Sequence, residues 1–168
     1  MNEIALAKQQ LREEILLKRK EITNLFQENF TRNLLQLVAE LSPSRVLCYQ
    51  SYPSEPNTDG FFQACEVSVV IPITNTDGTL SWQYYLDQKA TEIQSGDLLL
   101  IPALAVDHQG NRLGRGKGYF DKAISLAPVG ISIYAVIFDR EFMDSVPVEA
   151  HDRKVAGVVT EAGINKIK

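Results

Sequence analysis

Cysteine, methionine and tryptophan are scarce in this chain of 168 residues: two, two and one. Two cysteines, Cys48 and Cys65, cannot build a Cys-rich metal cage. The first residues, Met1-Asn2-Glu3-Ile4, lack the basic-then-apolar pattern of a secretory signal, so reduced thiols and a cytoplasmic location are expected. No apolar run approaches the roughly 18 residues of a membrane span, which excludes a membrane partner of that kind. An excess of positive charge is missing too. The net charge is −4, and a whole-surface nucleic-acid footprint is not expected. There is no internal repeat, low-complexity tract or linker. What is present is ordinary for a folded domain: 45% hydrophobic and 23% charged residues. The length suits a single domain, residues 1–168, with a core of its own.

Glycine and proline are absent from Asn2 to Ser42. That stretch reads as two helices, Glu3 to Ile22 and Leu25 to Leu41, with Thr23 and Asn24 as stop and restart and Asn24 as an N-cap. Strand-like runs follow at Arg45–Tyr49, Val67–Pro72, Leu80–Tyr84, Leu98–Pro102, Ile131–Phe138 and Val155–Val159. Helices are expected through Phe61–Ala64, capped by Asn57-Thr58-Asp59, and over Tyr119–Leu126. Asn75-Thr76-Asp77-Gly78 reads as a turn. Leu98–Pro102 is continuously apolar, as strands buried on both faces are. Strands interleaved with helices predict an α/β fold, a three-layer α/β/α domain with a largely parallel sheet, preceded by two N-terminal helices. Ligands of such sheets bind beyond the carboxyl ends of strands, where the loops after Tyr49, Ile101 and Phe138 should cluster.

The strongest local signal is Gly110-Asn111-Arg112-Leu113-Gly114-Arg115-Gly116-Lys117-Gly118-Tyr119-Phe120-Asp121. Glycines alternate at 114, 116 and 118, and no acid interrupts Arg112 to Lys117. Glycines let a backbone approach an anion with several N–H groups, and Arg and Lys add mobile positive charge. That is the physical recipe of a polyphosphate cradle. It is not a Walker A loop, because Gly116-Lys117 is followed by Gly118 and position 111 is Asn. It is not the dinucleotide fingerprint either, because position 119 is Tyr. The alternative is a basic surface turn. Asp121 could serve the helix start, or hold magnesium beside a phosphate, with Asp152 as a second acid.

In the first helix Ile4, Leu11, Ile15 and Ile22 share a stripe, yet Lys8 lies within it and Arg12 at its edge. Such cations either snorkel or meet a negative partner, which a phosphate could be. Cys48, inside a strand, reads as core. His108 and His151 lack zinc-ligand spacing. Trp82 and Tyr84 fit either a core or a stacking wall.

These residues resemble the 5-formyltetrahydrofolate cyclo-ligase family. The glycine loop looks like its signature. Lys8-Gln9-Gln10-Leu11-Arg12 resembles its N-terminal Lys-x-x-Leu-Arg, and Glu55-Pro56-Asn57-Thr58 its Glu-x-x-Thr. Val146-Pro147 with Asp152-Arg153-Lys154-Val155 resembles its closing motif. The resemblance implies an ATP- and Mg2+-dependent ligase that closes 5-formyltetrahydrofolate to 5,10-methenyltetrahydrofolate, releasing ADP and phosphate. It implies ATP binding by Lys8, Arg12, Arg112, Leu113, Gly114, Arg115, Gly116, Lys117, Gly118, Tyr119 and Phe120, with Arg115, Lys117 and Tyr119 catalytic. Asp121 and Asp152 would hold the metal, and Gln50, Glu55 and Tyr119 the reduced folate. A monomer is expected. The chain departs from the pattern in Phe120 for a second Tyr, in Glu141 for a Gln, and in a shortened region at Thr91–Asp97 that usually helps wall the folate pocket. A different small acceptor, or a non-catalytic nucleotide- or folate-binding module, are the alternatives.

Overall fold

The computed structural model describes residues 2–22 and 26–168, so the stop-and-restart expected at Thr23, Asn24 and Leu25 lies outside the described residues. Helix α1 is Glu3–Arg19 and α2 is Gln27–Leu41. The Asn2 side chain opens α1 by accepting from the Ala5 N–H at 2.7 Å, satisfying one of the orphan donors of the first turn. The chain continues through β1 (Val46–Cys48), α3 (Asp59–Ala64), β2 (Val69–Thr74), β3 (Leu80–Tyr84), β4 (Ala90–Thr91) and β5 (Leu98–Pro102). Next come β6 (Ala105–Asp107), β7 (Arg112–Leu113), α4 (Tyr119–Ser125) and β8 (Ser132–Val136). A 3-10 turn over Asp139–Glu141 leads to β9 (Phe142–Met143), β10 (Gly157–Thr160) and β11 (Gly163–Lys166).

Eight strands form the main sheet in the order β11-β10-β8-β5-β1-β2-β3-β4. The five from β10 to β2 are mutually parallel, while β11, β3 and β4 join antiparallel at the edges. The parallel strands are the near-continuous apolar runs that burial on both faces demands. One face packs Val46, Cys48, Leu98, Leu100 and Val136 against Phe30, Leu34 and Leu37 of α2 and Phe61 of α3. The other packs Leu47, Leu99, Ile101, Ala135 and Val158 against Ile124 of α4 and Val106 of β6. The expected layers are present, and Cys48 is core.

The second face also carries an element that composition did not announce. Strands β7, β6 and β9 form a small separate sheet, and α1 lies on it through Ile15, against Leu104, Ala105, Leu113 and Val146. The glycine loop therefore does not leave a main-sheet strand directly. Asp107 to Asn111 is a tight turn between β6 and β7, with Gly110 at φ +86° and both Asp107 carboxylate oxygens taken by backbone or Asn111 donors. Asp107 ionises below the usual carboxylate range: burial resists this, and its bonds from Asn111, Val146 and Gln109 outweigh it.

Trp82 is buried in the second core cluster. Tyr84 packs there too, and its hydroxyl accepts from Arg45 at 3.1 Å. Both belong to the scaffold. Ile4 of the expected apolar stripe is exposed, so α1 buries only the middle of that stripe.

Candidate functional site

Arg112 to Asp121 meets, in space, two segments far away in sequence. Lys8 and Arg12 of α1, Arg112, Leu113, Gly114, Gly116, Gly118 and Asp121, and Glu149, His151 and Asp152 line one pocket of about 260 Å³. The helix supplies its cations through a 4-3-4 spacing: Lys8, Arg12, Ile15 and Arg19 follow one face. Ile15 seats that face, and the charged residues either side of it reach partners that no local rule could supply.

Lys8 Nζ donates to Asp152 Oδ2 at 2.8 Å and to Glu149 Oε2 at 3.2 Å. Burial works against its charge, but the two carboxylates outweigh that and hold the ammonium above its ordinary pKa. Asp152 is held below the carboxylate range: burial opposes, while Lys8 and the Glu149 N–H at 2.8 Å prevail. Arg12 Nε donates to the Gly114 carbonyl at 2.9 Å and lies under Gly116, where an added Cβ would stand 3.4 Å from the guanidinium carbon. Gly116, at φ +97°, is thus glycine for two reasons, backbone conformation and close approach. Arg112 is paired with Asp121, yet its Nε is buried with no partner among the described residues. An orphaned buried donor of this kind calls for an explanation, and an anionic ligand supplies one.

The stretch without acids is therefore faced by acids in three dimensions. Lys8 meets Glu149 and Asp152, and Arg112 meets Asp121, while Arg12 meets the Gly114 carbonyl. Oxygen ligands from Glu149 and Asp152, together with His151, come within 4.8 Å of one another. This set is oxygen-rich, as a hard divalent cation prefers. Asp121 lines the same pocket but is spent on Arg112. Glu149 and His151 were not expected as members. Their signal was adjacency to Asp152 in one loop.

The other expected residues are distributed around this pocket. Arg115 Nε pairs with Glu55 Oε1 at 3.2 Å, and its Nη2 donates to Ser54 Oγ at 2.8 Å. It thereby ties the loop after β1 to the glycine loop. Glu55 is buried and also accepts from the Tyr52 N–H at 2.9 Å. Burial raises its pKa, and the Tyr52, Arg115 and Arg19 groups only partly offset this. Lys117 and Gln50 are exposed. Tyr119 faces the β2–β3 turn, near the position an added Cβ at Gly78 would take. Phe120 packs against both main core clusters rather than into the pocket. The shortened Thr91–Asp97 region lies at the amino ends of the strands, where Arg45 binds Asp97, Thr91 and the Glu92 carbonyl.

One buried residue escaped the sequence reading altogether. Arg19 makes a two-pronged pair with Glu141, both contacts at 2.7 Å, and its Nη2 also donates to the Ala103 carbonyl at 2.7 Å. A longer contact of 3.5 Å reaches the Ser54 carbonyl. The three partners lie in the loops after β8, β5 and β1, so the expected clustering of those loops is realised around one guanidinium. Glu141, where the resembled pattern has Gln, is the counter-ion.

Known proteins resemble this chain in sequence and in fold. Residues 86–161 match the model of the 5-formyltetrahydrofolate cyclo-ligase family. A 5-formyltetrahydrofolate cyclo-ligase of Mycolicibacterium smegmatis is 29% identical, across 92% of this chain and 93% of its own. A 5,10-methenyltetrahydrofolate synthetase of Aquifex aeolicus superposes with a TM-score of 0.82 at 21% identity, covering 96% of this chain and 93% of that one. A synthetase of the same name from Mycoplasma pneumoniae gives 0.79 at 19%, covering 92% and 98%. The two structures share the fold. The resemblance to the cyclo-ligase family, and the expectation of a ligase enzyme, are borne out.

Proposed function

We propose that this chain performs the reaction named for the family it resembles, closing 5-formyltetrahydrofolate to 5,10-methenyltetrahydrofolate at the expense of ATP. The observation that carries this reading is the convergence of Lys8 and Arg12, the Arg112–Asp121 loop and the Glu149–Asp152 loop on one pocket. The resemblance alone assigns these segments to one site, and they are separated by more than a hundred residues at the widest.

The pocket suits a phosphate chain better than a whole nucleotide, since small-molecule clefts usually start near 300 Å³. Base and ribose would lie outside it. The fit to phosphate rests on the orphaned Arg112 Nε and on glycines where a side chain would meet Arg12 or Arg112. Asp152, Glu149 and His151 would fit a magnesium ion once Lys8 turns from the two carboxylates to phosphate, with Asp121 released from Arg112 as a further ligand; such an ion neutralises phosphate charge when bound.

The formyl oxygen of the substrate is a poor leaving group. Transfer of the terminal phosphoryl group of ATP to that oxygen makes it a good one. The nitrogen at position 10 then attacks the formyl carbon, and the carbon–oxygen bond breaks with loss of phosphate. Phosphoryl transfer asks a protein for positioning and charge stabilisation rather than for a covalent nucleophile. The residues present do that work: Lys8, Arg12 and Arg112 hold phosphate oxygens, Lys117 closes over the transferring group, and Glu55 orients the folate beside Arg115. A nucleic-acid substrate is disfavoured because the chain is net acidic, at −4.

The test is a turnover assay on purified protein with ATP, magnesium and 5-formyltetrahydrofolate, followed by absorbance of the methenyl product. Product formation dependent on ATP is expected. ATP consumption with another acceptor and none with folate would transfer the site to a different substrate. Nucleotide binding without any turnover would leave a binding module.

A further inference from the structure

We infer that Arg19 is a positioning residue, which fixes the loop after β1, and Glu55 with it, against the glycine loop. The assignment of a folate to Glu55 rests on the cyclo-ligase reading above. The main sheet aligns β1, β5 and β8 through their ladders, but those ladders end where the strands do. Beyond the strand ends the three loops need another common reference. Arg19 provides it with donors to Glu141, to the Ala103 carbonyl and to the Ser54 carbonyl, all from a guanidinium that is 1% exposed and stacked over Phe138 at 5.3 Å. Glu141 is fixed in turn, because its Oε2 accepts from the Phe138 N–H at 3.0 Å.

Ser54 is where this clasp meets the site. Its carbonyl faces Arg19 and its hydroxyl accepts from Arg115. The next residue, Glu55, takes the remaining arm of Arg115. A path of polar contacts therefore runs from α1 through Ser54 to Arg115 of the glycine loop, and Arg115 in turn holds Glu55. Holding α1 in place does not require such a path. A buried ion pair can often be exchanged for apolar side chains of similar volume without loss of stability. An apolar pair would seat the helix but offer no donor to Ser54 or Ala103.

That difference defines the experiment. The Arg19→Met/Glu141→Met double variant is expected to keep a thermal midpoint close to that of the parent. Its KM for 5-formyltetrahydrofolate should rise about tenfold or more, in line with the sensitivity of reactions to small misplacements. Affinity for a non-hydrolysable ATP analogue with magnesium, read by calorimetry, should stay at the parent value. Backbone amides of Glu55 and Thr58 should exchange hydrogen faster than in the parent. Arg19→Lys keeps the charge but not the planar fork and is expected to share the KM and exchange effects, while Glu141→Gln, which keeps an acceptor, should shift both less. If the double variant does not fold, Arg19→Lys carries the same two readouts. A folded variant with parental KM and parental exchange over 51–58 would overturn the assignment. If the parent chain itself turns over no folate, the cyclo-ligase reading fails, and the exchange measurement still decides the clasp.

Discussion

Arg45 and Arg112 are both buried arginines paired with an aspartate, at different places on the same scaffold. Arg45 stands at the amino ends of β1 and β5 and uses every nitrogen. It bonds Asp97 twice, the Tyr84 and Thr91 hydroxyls, and the Glu92 carbonyl. Its pKa is raised, chiefly by Asp97, with burial opposing. Arg112 keeps one buried nitrogen unpaired, and its partner Asp121 is 55% exposed. The first arginine has no donor left to give. The second holds one in reserve beside a pocket. Buried charge alone does not mark a site; unspent bonding capacity does.

The contrast can be broken most forcefully at Arg45. Arg45→Met leaves Asp97 buried without its counter-ion, and a loss of about 3–5 kcal/mol is expected on urea unfolding. Nucleotide affinity of the remaining folded protein should not change. Arg112→Met should reverse this pattern, weakening nucleotide binding by tenfold, about 1.4 kcal/mol, with a smaller loss of stability than Arg45→Met. If both substitutions unfold the protein equally, the distinction between the two arginines is wrong.

Within the glycine loop, Lys117→Ala should raise the barrier by roughly 2–4 kcal/mol, by analogy with other lost charge-stabilising contacts. Its signature is a lower kcat with nucleotide affinity preserved, separable by calorimetry and steady-state kinetics. Gly116→Ala should cost about 1–2 kcal/mol, because its backbone is left-handed, and should weaken nucleotide binding through contact with Arg12. The smallest effect concerns Glu55. Burial holds its folded pKa above that of an ordinary glutamate, so the native state binds the proton more readily than the unfolded chain. As pH falls toward that value from above, Glu55 should add stability rather than remove it. Glu55→Gln should flatten this slope in thermal unfolding followed from neutral to mildly acidic pH, while impairing folate turnover.

Much of this could be read in advance, for physical reasons that differ by region. The five parallel strands announce themselves because burial on both faces forces unbroken apolar runs such as Leu98–Pro102. The small sheet does not, because Ala105–Asp107, Arg112–Leu113 and Phe142–Met143 are too short for alternation to register. Lys8 and Arg12 stood out as charges on an apolar stripe. Arg19 continues the same stripe four residues beyond Ile15, but it sits between Lys18 and Lys20 and reads as part of a solvated basic run. Its partner Glu141 is 122 residues away, and only the fold brings the two together.

That distance has a consequence for how the molecule is made. Helix α1 binds Gly114, Glu141, Glu149 and Asp152, partners 102–144 residues further along the sequence. A single helix of 17 residues is marginal by itself in water, and contacts this remote in sequence close slowly. Helix α1 is thus fixed by partners that only the rest of the fold can bring to it. The pocket therefore forms only when Lys8 and Arg12 meet residues 112–121 and 149–152.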